Sequence, residues 1–138
     1  MNKKNKSREL IFQGLTMHLN GDSLKKIYKK YDSSYLNDKF SKQDIAFVKF
    51  ITIEAISNRG IIEIVLKKHL SRPLPKKLLQ IKAAMMLGIT QILFSKVEPY
   101  ACVSTTVNLF NGKIFKWRGL ANAILRKIVE NKEEFLLL

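Results

Sequence analysis

The chain has 138 residues, of which 25 are Lys or Arg and 11 are Asp or Glu, so its formal net charge at pH 7 is +14. With 46% hydrophobic and 26% charged residues, the composition is that of a globular protein and argues against a disordered basic tail. A chain of this length predicts one packed domain that needs neither disulfides nor a structural metal, and its charge indicates an acidic partner.

The few cysteine and histidine residues restrict the chemistry further. Cys102 is the only thiol, and His18 and His69 are the only imidazoles, so no zinc cluster and no internal disulfide is expected. A lone thiol fits a reducing cytoplasm, which is the location we expect. The longest apolar stretch is shorter than the roughly 20 residues that span a bilayer, and no secretory signal is visible, so no membrane role is predicted.

Apolar spacing predicts helices along almost the whole chain, after a polar basic arm at residues 1–6. Ser41 and Asp44 are spaced as in a capping box, and Pro75 and Pro99 suit helix N-termini. In chain order, the first predicted helix covers about residues 7–20, and the second carries apolar and tyrosine side chains from 24 to 35. The third runs from Ser41 to about 57, the fourth covers about 61–70 and the fifth about 76–94. The sixth runs from Pro99 to the break at 111–112, and the last covers about 118–131.

These elements predict a compact, all-α, single-domain bundle of six to seven helices. No repeat at a fixed period indicates a solenoid, and no alternation of strands and helices indicates an α/β sheet. The fifth helix is the most apolar segment and is expected at the centre. We divide the chain into the arm at 1–6, a helical domain at 7–131 and a tail at 132–138.

Enzyme signatures are missing from the sequence. It contains no glycine-rich phosphate loop and no nucleophile motif, so no cofactor, metal or catalytic residue is predicted. His18 and His69 are interpreted as ordinary helix residues. Cys102 is interpreted as a small buried residue of the sixth helix.

Basic residues cluster along the chain, mostly as lysine. Because lysine suits phosphate groups as a point charge, sequence-independent affinity for RNA or DNA is predicted. The alternatives are a solvated lysine-rich surface and a helical protein-interaction adaptor whose charge is incidental. The first candidates for phosphate contact are Lys3, Lys4, Lys6 and Arg8, and the second are Lys25, Lys26, Lys29 and Lys30. Further basic groups surround the proline turn (67, 68, 72, 76, 77) and flank the last helix (113, 116, 118, 126, 127).

Two blocks in the second half of the chain form a pattern. Residues 87–94 read Leu-Gly-Ile-Thr-Gln-Ile-Leu-Phe, and residues 97–101 read Val-Glu-Pro-Tyr-Ala. Residues 115–126 read Phe-Lys-Trp-Arg-Gly-Leu-Ala-Asn-Ala-Ile-Leu-Arg. In this order the blocks resemble the signature of the NusB/RsmB family, whose members are all-α RNA-binding domains, and the resemblance extends over nearly the whole chain.

The resemblance implies one of two roles. The length is similar to that of the family's free antitermination factor, which binds a ribosomal leader transcript with a small-subunit ribosomal protein and helps the elongating polymerase read through terminators. The amino-acid sequence of the blocks is more similar to that of the N-terminal domain of the ribosomal RNA cytosine-5 methyltransferases. Those enzymes carry the S-adenosylmethionine pocket and the catalytic cysteine in a further domain, so these 138 residues are expected to be a non-catalytic RNA-binding module, as monomer or homodimer.

The family blocks also contain residues with expected scaffold roles. Gly88 is expected to let the central helix approach a neighbour closely, and Pro99 to preorganise a helix start. Gly119 is expected in a tight contact at the first turn of the last helix. Asn122 is expected to hydrogen-bond a nearby loop backbone.

Overall fold

The computed structural model describes residues 3–37 and 40–138, with only the backbone of Lys3 and Lys4. All regular structure in these ranges is helical, which confirms the all-α class. The α-helices are α1 (Lys3–Leu19), α2 (Leu24–Asn37), α3 (Lys42–Ser57), α4 (Arg59–Lys68), α5 (Leu79–Phe94), α6 (Pro99–Val107), α7 (Arg118–Glu130) and α8 (Lys132–Phe135). A 3-10 helix, Gly112–Trp117, precedes α7. Within the described ranges, no helix is both long and apolar enough to cross a membrane.

Helix α5 is the centre of the bundle, as its apolar sequence predicts. Every residue from Ala83 to Leu93 is buried, because α1, α3, α4, α6 and α7 all pack against it. Gly88 allows one of these contacts. A Cβ atom at this position would lie 2.9 Å from the side chain of Thr106 on α6 and 3.0 Å from that of Leu125 on α7, which confirms the expected close approach.

Two predicted helix starts are confirmed at atomic level. The Ser41 hydroxyl accepts a hydrogen bond from the Asp44 amide at 3.0 Å, and the Asp44 carboxylate accepts one from the Ser41 amide at 3.0 Å. This reciprocal capping box begins α3. Pro99 occupies the first turn of α6, where the Glu98 carboxylate accepts from the amides of Tyr100 and Ala101.

Other boundaries differ from the prediction. Residues 3–6, expected as an arm, form the first turn of α1, since no glycine or proline interrupts the helix before residue 7. Helix α5 begins at Leu79, not beside Pro75, because the Leu78 amide donates to the Pro75 carbonyl at 3.1 Å and closes a separate turn. The predicted tail contains α8, whose Phe135 is buried and packs edge-on against the His69 ring.

A close contact that sequence spacing did not indicate joins the first three helices. Gly14 of α1 lies against the hydroxyl end of Tyr31 on α2, and a Cβ at Gly14 would fall 1.8 Å from the Tyr31 hydroxyl oxygen. That hydroxyl is 2.7 Å from the hydroxyl of Thr52 on α3, and both residues are fully buried. A side chain at position 14 would therefore displace Tyr31 from its hydrogen bond.

Charged side chains tie α1, α4 and α5 together at the surface. The Arg59 guanidinium lies 3.1 Å from His18 Nε2 and donates from Nε to Glu63 Oε1 at 3.0 Å, and Lys82 of α5 pairs with the same carboxylate. The hydrogen bond from Lys82, with that from Arg59, holds the pKa of Glu63 below its usual value. Burial, with the two nearby cations, lowers the pKa of His18 and favours its neutral form.

The Gly14 contact predicts a large effect from one methyl group. Gly14→Ala should lower the free energy of unfolding by about 1–3 kcal/mol, the usual cost of overpacking a core. Gly60→Ala is the matched control: Gly60 is in α4 and nothing lies within 4 Å of the position that its new methyl group would take, so it should be neutral or slightly stabilising. Urea unfolding of both variants gives the comparison, and equal stabilities would contradict the Tyr31 contact.

Candidate nucleic-acid interface

The basic N-terminal end of α1 carries the first group of predicted contacts. Lys6 is exposed, and its Nζ lies 5.8 Å from the centroid of the Phe40 ring, which precedes α3. The side chains of Lys3 and Lys4 lie outside the described residues. The backbone of both belongs to the first turn of α1, as does that of Lys6.

Arg8 does not share this surface, and its place among the phosphate-contacting residues is corrected. Its side chain is buried, with 7% of its area exposed, and its Nε donates to Gln91 Oε1 of α5 at 3.1 Å. The guanidinium also stacks 4.7 Å from the centroid of the Phe47 ring. Arg8 faces inward because it lies three and seven residues before Ile11 and Leu15, on the core face of α1.

Burial of Arg8 has an electrostatic cost. Desolvation lowers the pKa of its guanidinium below the usual value. The hydrogen bond to Gln91 and the aromatic face of Phe47 partly offset this cost. Arg8 is therefore a structural residue that joins α1 to α5.

The second predicted group lies on α2. Lys25, Lys26 and Lys29 are exposed and Lys30 is half-buried, and Lys26 pairs with Asp22 at 3.0 Å. The short turn between α1 and α2 places Lys25 and Lys26 near the Leu19 end of α1, which is roughly 20 Å along that helix from Lys6 at 1.5 Å per residue. The two lysine groups are therefore separate patches.

A third basic surface lies along α6 and α7, and we call it the α6–α7 cleft. It encloses about 300 Å³. Its lining is Tyr100, Val103, Ser104, Val107, Asn108, Arg118, Asn122 and Arg126. Half of these side chains, two arginines and two asparagines, carry hydrogen-bonding groups suited to nucleobase edges.

Exposed aromatic rings flank both arginines of the α6–α7 cleft. The Arg126 guanidinium lies 5.7 Å from the centroid of the Tyr100 ring, which is 48% exposed. The Arg118 guanidinium lies 5.8 Å from the centroid of the Phe115 ring, which is 57% exposed, and donates to Asn108 Oδ1 at 3.1 Å. Exposed rings beside arginines offer stacking platforms for unpaired bases.

The sequence shows Arg118 and Arg126 among the basic residues that flank the last helix, but not which aromatic rings lie beside them. The only sequence signal was the presence of Tyr100 and Phe115 in the family blocks. Asn122, expected to bond a loop backbone, lines the α6–α7 cleft, and no such bond forms within the described residues. Gly119 is exposed, with nothing within 4 Å of a Cβ, so the expected tight contact is wrong.

Cys102, beside this surface at the start of α6, is fully buried. Burial raises the pKa of its thiol to about 11, so the reactive thiolate is disfavoured at neutral pH. His69 Nδ1 lies 2.8 Å from the carbonyl oxygen of Val65, one helical turn before it. Across the residues that the structure describes, no group of three or more His, Cys, Asp or Glu side chains could hold a metal ion.

The sequence of this chain is similar to those of known proteins. The NusB family model matches residues 5–130. The chain is 26% identical over 138 residues to a protein of Salmonella typhi named ribosomal RNA small subunit methyltransferase B, covering 99% of this chain and 31% of that protein. The protein of the same name from Cronobacter sakazakii is 28% identical over 102 residues, covering 73% of this chain and 24% of that protein. The chain thus spans less than a third of the length of these curated relatives.

The position of Arg8 predicts a stability effect rather than a surface effect. Arg8→Ala should lower the free energy of unfolding by about 1–3 kcal/mol, because it leaves the amide oxygen of Gln91 buried without its donor. Lys6→Ala, two residues away and exposed, should change it by less than about 0.5 kcal/mol. Thermal unfolding of both variants tests this, and an Arg8→Ala protein as stable as Lys6→Ala would return Arg8 to the candidate surface.

Proposed function

This chain belongs to the NusB family, and on that premise we propose that it is a non-catalytic RNA-binding module whose ligand is ribosomal RNA or a ribosomal leader transcript. The family match and the methyltransferase relatives support RNA as the ligand class. The net charge of +14 supports an anionic partner.

The α6–α7 cleft is the observation that carries the proposal. A solvated lysine-rich surface needs no exposed aromatic rings, whereas Tyr100, which lines the cleft, and Phe115, which does not, each lie beside one of the cleft arginines. Stacking on such rings contributes about 1–3 kcal/mol per base. Because arginine and asparagine also bond base edges, the cleft supplies what the lysines lack, a means of holding unpaired bases.

Lysines supply the other half of the proposed interface. Lys6 extends from the N-terminal end of α1, and α1 packs against α6, which forms one side of the cleft. In this proposal the bases of an RNA strand lie in the cleft and its phosphates contact Lys3, Lys4 and Lys6, whereas the lysines of α2 form a separate contact.

The cellular role follows from which RNA is bound. A stand-alone antitermination factor would prefer the leader transcript and would engage a small-subunit ribosomal protein and the elongation complex. A module of the methyltransferase type would prefer small-subunit ribosomal RNA. The names of the relatives favour the second role, and burial of Cys102 is consistent with a module that leaves methyl transfer to another domain.

Charge neutralisation should reveal the phosphate contacts. Filter binding of a leader RNA and of a naked small-subunit ribosomal RNA fragment at several salt concentrations should give log affinity that falls with log salt. Replacing Lys3, Lys4 and Lys6 by Gln should make this slope shallower by about 2 if each contacts one phosphate of a single strand. A salt-independent failure to bind either RNA would support the protein-adaptor alternative instead.

A stacking contact should respond differently from a phosphate contact. Tyr100→Leu should weaken binding of single-stranded RNA by about tenfold and leave the salt slope unchanged, because it removes a ring and no charge. Phe50→Leu is the matched control, since Phe50 on α3 is also 48% exposed but lies outside the α6–α7 cleft. Equal affinities of the two variants would remove Tyr100 from the RNA site.

A further inference from the structure

A large cavity lies away from the α6–α7 cleft, between α4, the proline turn at residues 71–75 and the start of α5. We call it the proline groove. It encloses about 680 Å³, within the range of about 300–1,000 Å³ typical of ligand sites. Its walls are aliphatic and include Leu66, Leu70, Leu74, Leu78 and Leu79.

The rim of the proline groove is positively charged. Lys67, Arg72 and Lys76 line it and are exposed. Glu63 is the only acidic residue among the lining side chains, and it is already paired with Lys82 and Arg59. The three exposed cations of the rim make no ion pair within the described ranges, so they can receive carboxylates from outside the chain.

We propose that the proline groove binds an acidic amphipathic segment of a partner protein. Leucine-class side chains of the segment would fill the aliphatic floor, and its carboxylates would meet Lys67, Arg72 and Lys76. This combination of an apolar stripe and flanking charge is the usual basis of helix-in-groove recognition. Pro73 and Pro75 restrict the turn that forms one wall, which lowers the entropy lost on binding.

RNA fits this groove less well than it fits the α6–α7 cleft. The groove lining contains no aromatic side chain on which a base can stack, and its floor offers aliphatic surface to a ligand whose backbone is charged. The proline groove is therefore a protein-binding surface that goes beyond RNA binding and does not rest on it.

Selection from a random peptide library tests the proposal without assuming which protein is the partner. Peptides selected on the full chain should be enriched in sequences that combine acidic residues with large apolar residues at helical spacing. Synthetic copies should bind the Lys67→Glu, Arg72→Glu, Lys76→Glu protein at least about tenfold more weakly than the unsubstituted chain. The Lys25→Glu, Lys29→Glu, Lys30→Glu protein is the matched control, because it has the same net charge and an intact groove.

Circular dichroism should show both triple variants folded, since the substituted side chains are mostly exposed. Amide resonances perturbed by the peptides should come from residues 66–82. Selection without this composition, equal weakening by both triple variants, or perturbations elsewhere would overturn the proposal. Perturbation of the same amides by leader RNA in place of peptide would assign the groove to nucleic acid, whereas loss of RNA binding alone would leave the peptide result unaffected.

Discussion

The burial of α5 on all sides is the constraint on which the rest of the structure depends. A helix enclosed by five others can carry no free charge, and its buried oxygen atoms accept or donate within the protein: Thr90 donates to the Met86 carbonyl at 2.6 Å, and Gln91 Oε1 accepts from Arg8 at 3.1 Å. Enclosure also requires a small residue where neighbouring helices come closest to α5, and Gly88 is that residue, facing Thr106 and Leu125. Because the inner faces of α1, α3, α4, α6 and α7 are committed to this helix, binding is confined to their outer faces and the clefts between them.

Local features of the fold were predictable from the sequence, and contacts between distant residues were not. The capping box at Ser41, the proline at the start of α6 and the apolar character of α5 depend on neighbours within a few positions. The position of Arg8 depends on Gln91, 83 residues away. The cluster of basic residues at the N-terminus therefore did not indicate that one of its side chains faces inward. The close contact at Gly14 could not be predicted for the same reason, because only the fold brings Tyr31 next to it.

For the candidate site, too, the residue types were predictable from the sequence and the contacts between distant residues were not. Composition indicated an anionic partner, and the family blocks contained Tyr100, Arg118 and Arg126, but the sequence does not show which ring lies beside which cation. Nor does it show that Lys25 and Lys26 lie near the opposite end of α1 from Lys6. The fold gives three surfaces of distinct chemistry: lysine patches, an arginine and aromatic cleft, and an aliphatic groove with a basic rim.

The link between Arg8 and Gln91 also bears on how the chain folds as it leaves the ribosome. At about 5–20 residues per second, the 83 positions between them take roughly 4–17 s to synthesise. During that interval the inner face of α1, with Ile11 and Leu15, lacks α5, the helix against which it packs most extensively. The side chain that later joins α1 to α5 therefore places a guanidinium within the apolar stripe that α1 presents until α5 has been synthesised.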